Sequence, residues 1–205
     1  MSPGVTFERV YHELKRMLAR GEFPPGTPIE PVVIGKLIAT SITPVRDALH
    51  RLTGERLVEA PNHNGFRAPL PTEAALRELY EWRGLLLSLA AHRTRSSSGK
   101  YAPSPAQAPD TSSATASLFL EVARASNNAE LAAAVQQAND RLAPFHRAEY
   151  RIFADLADEY GLLVLQYDNA RHPDLVRLLR QYHQRRIRAV SHLLAQSVHA
   201  AERSL

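Results

Sequence analysis

The chain has 205 residues, a formal net charge of +4, 44% hydrophobic residues and no cysteine, which excludes disulfides and thiolate metal sites. No apolar run reaches membrane-spanning length and the N-terminus has no secretory apolar segment, so the chain reads as cytoplasmic, with no membrane partner. Residues 1–70 hold nine basic against seven acidic side chains and residues 71–205 sixteen against fourteen; any nucleic-acid contact must therefore come from local placement of charge.

Phe7, Val10, Tyr11, Leu14 and Leu18 recur at helical spacing and predict a first helix that stops near Gly21. Phe23-Pro24-Pro25-Gly26 then forces a turn before Ile29. In residues 30–52, EPVVIGKLIATSITPVRDALHRL, an apolar segment with Ile34, Leu37 and Ile38 is followed by a polar break at Thr40-Ser41. A second segment follows, with Val45, Leu49 and Leu52 at helical spacing. The pattern predicts two short helices joined by a tight turn with their apolar sides together. Ser41 or Thr43 caps the second helix, and Pro44 lies in its first turn. Burying Val45, Leu49 and Leu52 leaves Thr43, Arg46, Asp47 and His50 outside. A polar helix with an arginine near its N-terminus suits major-groove docking, although a helical hairpin with a solvated charged face fits this segment equally well. Leu57-Val58-Glu59 reads as a strand, residues 61–65 as a turn and Phe66-Arg67-Ala68 as the returning strand. Helix, turn, helix and hairpin make a winged helix-turn-helix. Its wing tip carries His63, Asn64 and Arg67, polar groups suited to phosphate or minor-groove contact.

The strings GEFPPGTPI (21–29), SITPVRDALHRL (41–52), RLVE (56–59) and NGFRA (64–68) resemble the GntR regulators, specifically their FadR-like subfamily. The resemblance covers most of residues 7–69. It implies a ligand-responsive, sequence-specific DNA-binding transcriptional regulator, most often a repressor released by a small organic acid. Its partners would be double-stranded DNA with a pseudo-palindromic operator, a second copy of the chain and a small-molecule effector. It also implies that Arg46 reads a base with Thr43 and His50 beside it, and that Ser41, Arg51, His63, Asn64 and Gly65 contact or approach the backbone. Many relatives place arginines where Val32 and Ile42 stand here, so either the operator differs or DNA binding is weakened.

Pro69-Leu70-Pro71 reads as the joint between a winged helix-turn-helix domain (1–70) and an all-α bundle (71–205), a mainly α fold in which the wing is the one β element. Residues 72–92 are helically periodic, with Leu76, Leu79, Tyr80, Arg83, Leu87 and Ala90 on one side. An arginine there either snorkels to solvent or, as the resemblance implies, lies near a ligand cavity. The Ser/Ala/Pro-rich stretch 94–117 predicts a disordered loop. Four helical patterns follow. Leu118–Ala125 is one, and Leu131–Phe145 is another, broken near Pro144. A third contains Ile152, Leu156 and Leu163, and a last runs from Pro173 through Leu193. The sequence has no P-loop, no GxGxxG, no HExxH and no G-x-S-x-G motif. The four places that hold a metal in the family correspond to Thr115, Phe119, Tyr160 and His183. No metal or other cofactor is therefore expected, and Arg83, Tyr160 and His183 are the candidate effector-binding residues. An enzyme built on His146 or His183 is the rival class, and no acid–base pair accompanies either in the sequence.

Overall fold

The computed structural model describes residues 3–61, 65–93, 111–169 and 172–202. The chain divides into two compact units, Met1–Pro71 with Ser197–Leu205, and Thr72–Gln196. The architecture is mainly α with one small antiparallel sheet, as the hydrophobic periodicity predicts. Among the described residues no helix is long and apolar enough to cross a membrane.

The first unit opens with α1 (Pro3–Ala19), which buries Val10, Tyr11, Leu14, Met17 and Leu18. Strand β1 (Pro28–Ile29) leads into α2 (Pro31–Leu37), with Pro31 in its first turn, where its missing N–H leaves no bond unmade. The turn between helices runs through Ala39, whose φ is +50°, into α3 (Ile42–Gly54). Helix α3 packs Val45, Ala48, Leu49 and Leu52 against α1 and α2. Two expectations need correction here. Ser41 occupies the N-cap position of α3 with extended backbone, yet its side chain makes no capping bond. Leu37 is 66% exposed, because Ile34 and Ile38, four residues apart, take the inward side of this two-turn helix and turn Leu37 outward with Val33.

The wing also differs from the expected hairpin. Strand β2 (Phe66–Arg67) pairs with β1, in the register Ile29 to Phe66 and Pro28 to Arg67. Leu57 and Val58 are buried in the core, and only Glu59 meets β2, exchanging two 2.9 Å backbone bonds with Arg67. The turn residues 62–64 lie outside the described residues.

In the second unit α4 (Glu73–Arg93) runs against α5 (Thr111–Ala125), α6 (Ala129–Leu142) and α9 (His172–Arg188). A 3-10 turn (Ala143–Phe145), α7 (His146–Ile152) and α8 (Leu156–Asp168) lie between α6 and α9 in sequence, and α10 (Val190–Glu202) closes the described chain. Residues 111–117, expected in a disordered loop, form the first two turns of α5 and bury Ser112, Ala114 and Thr115. Small side chains suit a tight helix contact as well as they suit a loop. The rest of that expected loop, 94–110, lies outside the described residues. Ile152 ends α7 rather than joining the next helix, and the pattern from Pro173 to Leu193 is two helices with a break at Ala189.

Two apolar clusters fill this unit. One gathers Leu87, Leu118, Phe119, Val135, Leu163 and Leu179; the other gathers Leu76, Leu79, Tyr80, Leu142, Phe145 and Leu193. Along α4, Arg83 falls between residues of the first cluster (Leu86, Leu87) and of the second (Leu79, Tyr80). Along α6, Asn139 lies beyond Val135 of the first and between Ala138 and Leu142 of the second. His183 and Arg186 follow Leu179 and Tyr182 on α9. The result is a buried polar layer between two oily ones.

Candidate nucleic-acid interface and buried polar layer

On α3, Thr43, Arg46, Asp47 and His50 lie at i, i+3, i+4 and i+7 and share one exposed side, opposite Val45, Leu49 and Leu52. Arg46 makes no hydrogen bond or ion pair among the described residues. Its guanidinium is therefore available to a partner outside the chain. Ile42, one helical turn before it, is 45% exposed, and Val32, Val33 and Leu37 on α2 are exposed as well. His50 sets its ring edge-on to Phe66, with centroids 4.9 Å apart, so the helix and the wing strand brace one another. Gly65 is exposed with φ +84°, a left-handed conformation that a side chain would strain. His63 and Asn64 fall outside the described residues.

Arg51, expected to approach the DNA backbone, is engaged within the unit. Its guanidinium stacks 4.1 Å from the Tyr11 ring centroid and donates to Glu8 at 3.1 Å, which ties α3 to α1. Tyr11 in turn donates to Glu55 at 2.7 Å. Arg67 is likewise engaged, donating to Glu59 at 2.7 Å.

The buried layer of the second unit centres on Arg83, which is 1% exposed. Its Nε lies 3.2 Å from His183 Nε2 and its Nη1 donates to Asn139 at 3.3 Å, while Asn139 donates to the Ala116 carbonyl. Its Nη2 has no hydrogen-bond partner among the described residues. The rings of Phe119, Tyr80 and Tyr182 surround the guanidinium at 5.1–5.7 Å. His183 Nδ1 lies 2.6 Å from the Leu179 carbonyl, which assigns the proton to Nδ1 and leaves Nε2 to accept from Arg83. That lone pair is then committed to Arg83 and not offered to a metal. Burial, with Arg83 beside it, holds His183 well below the ordinary imidazole value. Gly84 lets α9 approach, since a Cβ there would meet the His183 ring at 3.1 Å.

Sequence reading missed the other half of the layer. Glu149 on α7 is fully buried and accepts from Tyr80 at 2.8 Å, from Tyr182 at 3.4 Å and from Arg186 at 3.2 Å. Arg186 also reaches Glu159 at 2.8 Å and lies 3.4 Å over the Tyr182 ring. Burial raises the Glu149 carboxyl, but Arg186, His146 and Arg83 outweigh it and hold the group below the usual carboxylate range. Burial dominates at Glu159, which is raised despite Arg186, and it pushes Tyr182 up to about 12. Thr115 and Phe119 lie on α5, with Phe119 stacked 5.7 Å from His183. Tyr160 on α8 is partly buried against the cluster that contains Phe119. The structure thus joins Arg83 to His183 and adds Asn139, which sequence reading had passed over.

Residues 6–68 match the family described as bacterial regulatory proteins, gntR family. This stretch of the N-terminal unit is similar to a gntR-family domain. Two curated relatives agree over this part of the chain. The uncharacterized HTH-type transcriptional regulator YdhC of Bacillus subtilis (strain 168) is 32% identical over 88 residues, 43% of this chain and 39% of that protein. The HTH-type transcriptional repressor GlaR of Escherichia coli (strain K12) is 32% identical over 87 residues, 40% of each. The chain therefore matches about two fifths of the length of these relatives. Two solved structures share the fold across both units. A GntR transcriptional regulator from Rhodococcus sp. RHA1 has a TM-score of 0.72 at 16% identity, covering 90% of this chain and 96% of that one. E. coli McbR/YncC has 0.65 at 19%, covering 91% and 97%. The two curated relatives are described as a transcriptional regulator and a transcriptional repressor, and at this identity the solved structures bear on fold alone.

The buried His183 of the second unit has a measurable consequence. Its folded value lies below 6.5, so the unfolded chain binds a proton more readily. Stability is then complete above pH 6.5 and falls as the pH drops below it, by at most about 1.4 kcal/mol per pH unit. Glu159, raised by burial from its ordinary value, works in the opposite direction at the acidic end of this window. Urea unfolding of wild type and His183→Gln at a series of pH values isolates the histidine. The variant is expected to lose the slope between pH 6.5 and about 5. An equal slope in both proteins would show that His183 is protonated or exposed in the native state.

Proposed function

We infer that the chain is a ligand-responsive, sequence-specific DNA-binding regulator, most consistent with a repressor, acting as a homodimer on a pseudo-palindromic site. The observation that carries this reading is Arg46 on a gntR-family domain: exposed on the outer side of α3, flanked by Thr43 and His50, and engaged by nothing among the described residues. Arginine paired to guanine O6 and N7 is the commonest specific contact in the major groove. Ile42, one turn from Arg46, presents an apolar group, and the feature of the groove that accepts one is the thymine methyl. The operator then carries A·T pairs where arginine-bearing relatives read guanine.

The second unit is read as a FadR-type sensing domain. The buried Arg83, with its unpartnered Nη2 and an aromatic surround, suits the carboxylate of a small organic acid, with His183 holding the guanidinium in place and Tyr160 on α8 as a further polar group. The exposed Val32, Val33, Leu37 and Ile42 favour a second reading, a partner-binding surface on a domain with weakened DNA affinity.

One experiment separates these. Wild-type protein selects duplexes from a random pool, and affinity is then measured on a selected site and on random DNA at several salt concentrations. Arg46→Ala is expected to cost about 1–3 kcal/mol on the selected site and much less on random DNA. Equal weakening on both assigns Arg46 to phosphate. Failure to bind any duplex at low salt leaves the partner-binding reading.

A further inference from the structure

Asp47 is the acidic member of the exposed side of α3 that also carries Thr43, Arg46 and His50. An acid on a helix ordinarily serves the N-terminus, an intrahelical ion pair or a neighbouring element. Asp47 serves none of these. It lies beyond the first turn of α3, where a carboxylate no longer complements the end of the helix. Its partner at i+4 is Arg51, in the order that favours an ion pair along a helix. Arg51 is turned away instead: it stacks on Tyr11, donates to Glu8 at 3.1 Å and pairs with Glu55 at 3.5 Å. Among the described residues the Asp47 carboxylate accepts no hydrogen bond and makes no ion pair.

A free carboxylate on a surface that meets phosphates weakens binding to every duplex alike, unless a base supplies it with a donor. In the major groove the donors are the exocyclic amines, and the base that matches a carboxylate is cytosine, through N4. We propose that Asp47 reads a cytosine, accepting from its N4 amine, in the base pair read by Arg46 or the adjacent one. Guanine O6 and thymine O4 are acceptors, so the same carboxylate repels them. Adenine N6 is a donor, but N7 beside it repels the second carboxylate oxygen. Asp47 therefore acts as much by excluding wrong bases as by binding the right one. Thr43 lies one turn before it and His50 three residues after, which puts Asp47 in the middle of the exposed side. The assignment rests on the DNA binding proposed above and adds to it a residue that sets base preference.

Selection of duplexes from a random pool by the full chain tests this, with wild type, Asp47→Asn and Asp47→Ala run side by side. The selected sites and random DNA are then titrated at one salt concentration. Wild type is expected to select cytosine at one position, in or beside the base pair whose guanine preference disappears in Arg46→Ala. Asp47→Asn is expected to move that position to adenine, because an amide pairs with adenine N6 and N7. Asp47→Ala is expected to lose about fivefold or more of the discrimination there, leave the other positions unchanged and bind random DNA more tightly. A variant that merely misfolds would weaken every position together and could not acquire a new base. The same selected sequence from wild type and Asp47→Asn would overturn the assignment and make Asp47 a solvated charge, with the DNA-binding reading intact. A wild type that binds no duplex at low salt would remove that reading, and this assignment with it.

Discussion

Arg186→Met is expected to destabilise the second unit by about 3–5 kcal/mol, the usual cost of leaving one member of a buried ion pair behind. Arg186 and Glu149 are both wholly buried, and once the guanidinium is gone Glu149 keeps the hydroxyls of Tyr80 and Tyr182 but loses the ion-pair partner that hydrogen-bonds it. The stacking of Arg186 on Tyr182 is lost as well. Removing both charges in Glu149→Leu with Arg186→Met is expected to recover much of the loss, because no orphan carboxylate remains. Chemical denaturation of the two variants and the wild type checks both statements. A single-variant loss under about 1 kcal/mol would mean that water reaches the pair, as at a surface site. Acidification makes a separate check on the pair. Because the folded Glu149 carboxyl lies below 4.5, its contribution is complete above that pH and lost only as the pH falls through the folded value.

Leu49→Ala is expected to cost the first unit about 2–5 kcal/mol, the range for deleting a fully buried leucine from a close-packed core. Leu49 has no solvent exposure and lies on α3 between Val45 and Leu52, on the side opposite Arg46. The cavity it leaves sits under the helix that carries the side chains proposed to read DNA. Affinity for DNA should therefore fall with the folded fraction rather than with any lost contact. Thermal unfolding followed beside DNA titration distinguishes the cases. Binding that weakens at temperatures where the unit is still fully folded would show that Leu49 sets the angle of α3 and not only its stability.

Most helices of this protein were legible in the sequence, because each buries a stripe at helical period. The inward positions of α1, α3, α4 and α6 are those that periodicity selects. The resemblance of the first unit to a known family was legible too, since the strings around Thr43-Pro44-Val45-Arg46 and Asn64-Gly65-Phe66-Arg67 are local. Composition misled at residues 111–117: Ser, Thr and Ala lower helix propensity or signal loops when alone. Here they are helical because neighbours pack closely on them. The break at Ala189 and the reassignment of Ile152 reflect the same limit, since an apolar stripe does not say where a helix stops.

Tertiary structure alone decided the rest. Strand β1 exists because Phe66-Arg67 pairs with it from far along the chain, and nothing local to Pro28-Ile29 signals a partner. Arg46 and Arg51 are five residues apart on one helix; the first faces outward, and the second is taken by Glu8 and Tyr11 of α1. Arg83 reads in sequence as an arginine on an apolar side, with snorkelling and a cavity equally open. Only the convergence of α4, α5, α6 and α9 shows it buried against His183, Asn139 and Phe119. Glu149 and Arg186, 37 residues apart, carry no sequence mark at all. Side-chain period records which face is buried, because water expels apolar surface wherever it lies. Which charge meets which is a matter of long-range contact, and a one-dimensional pattern does not hold it.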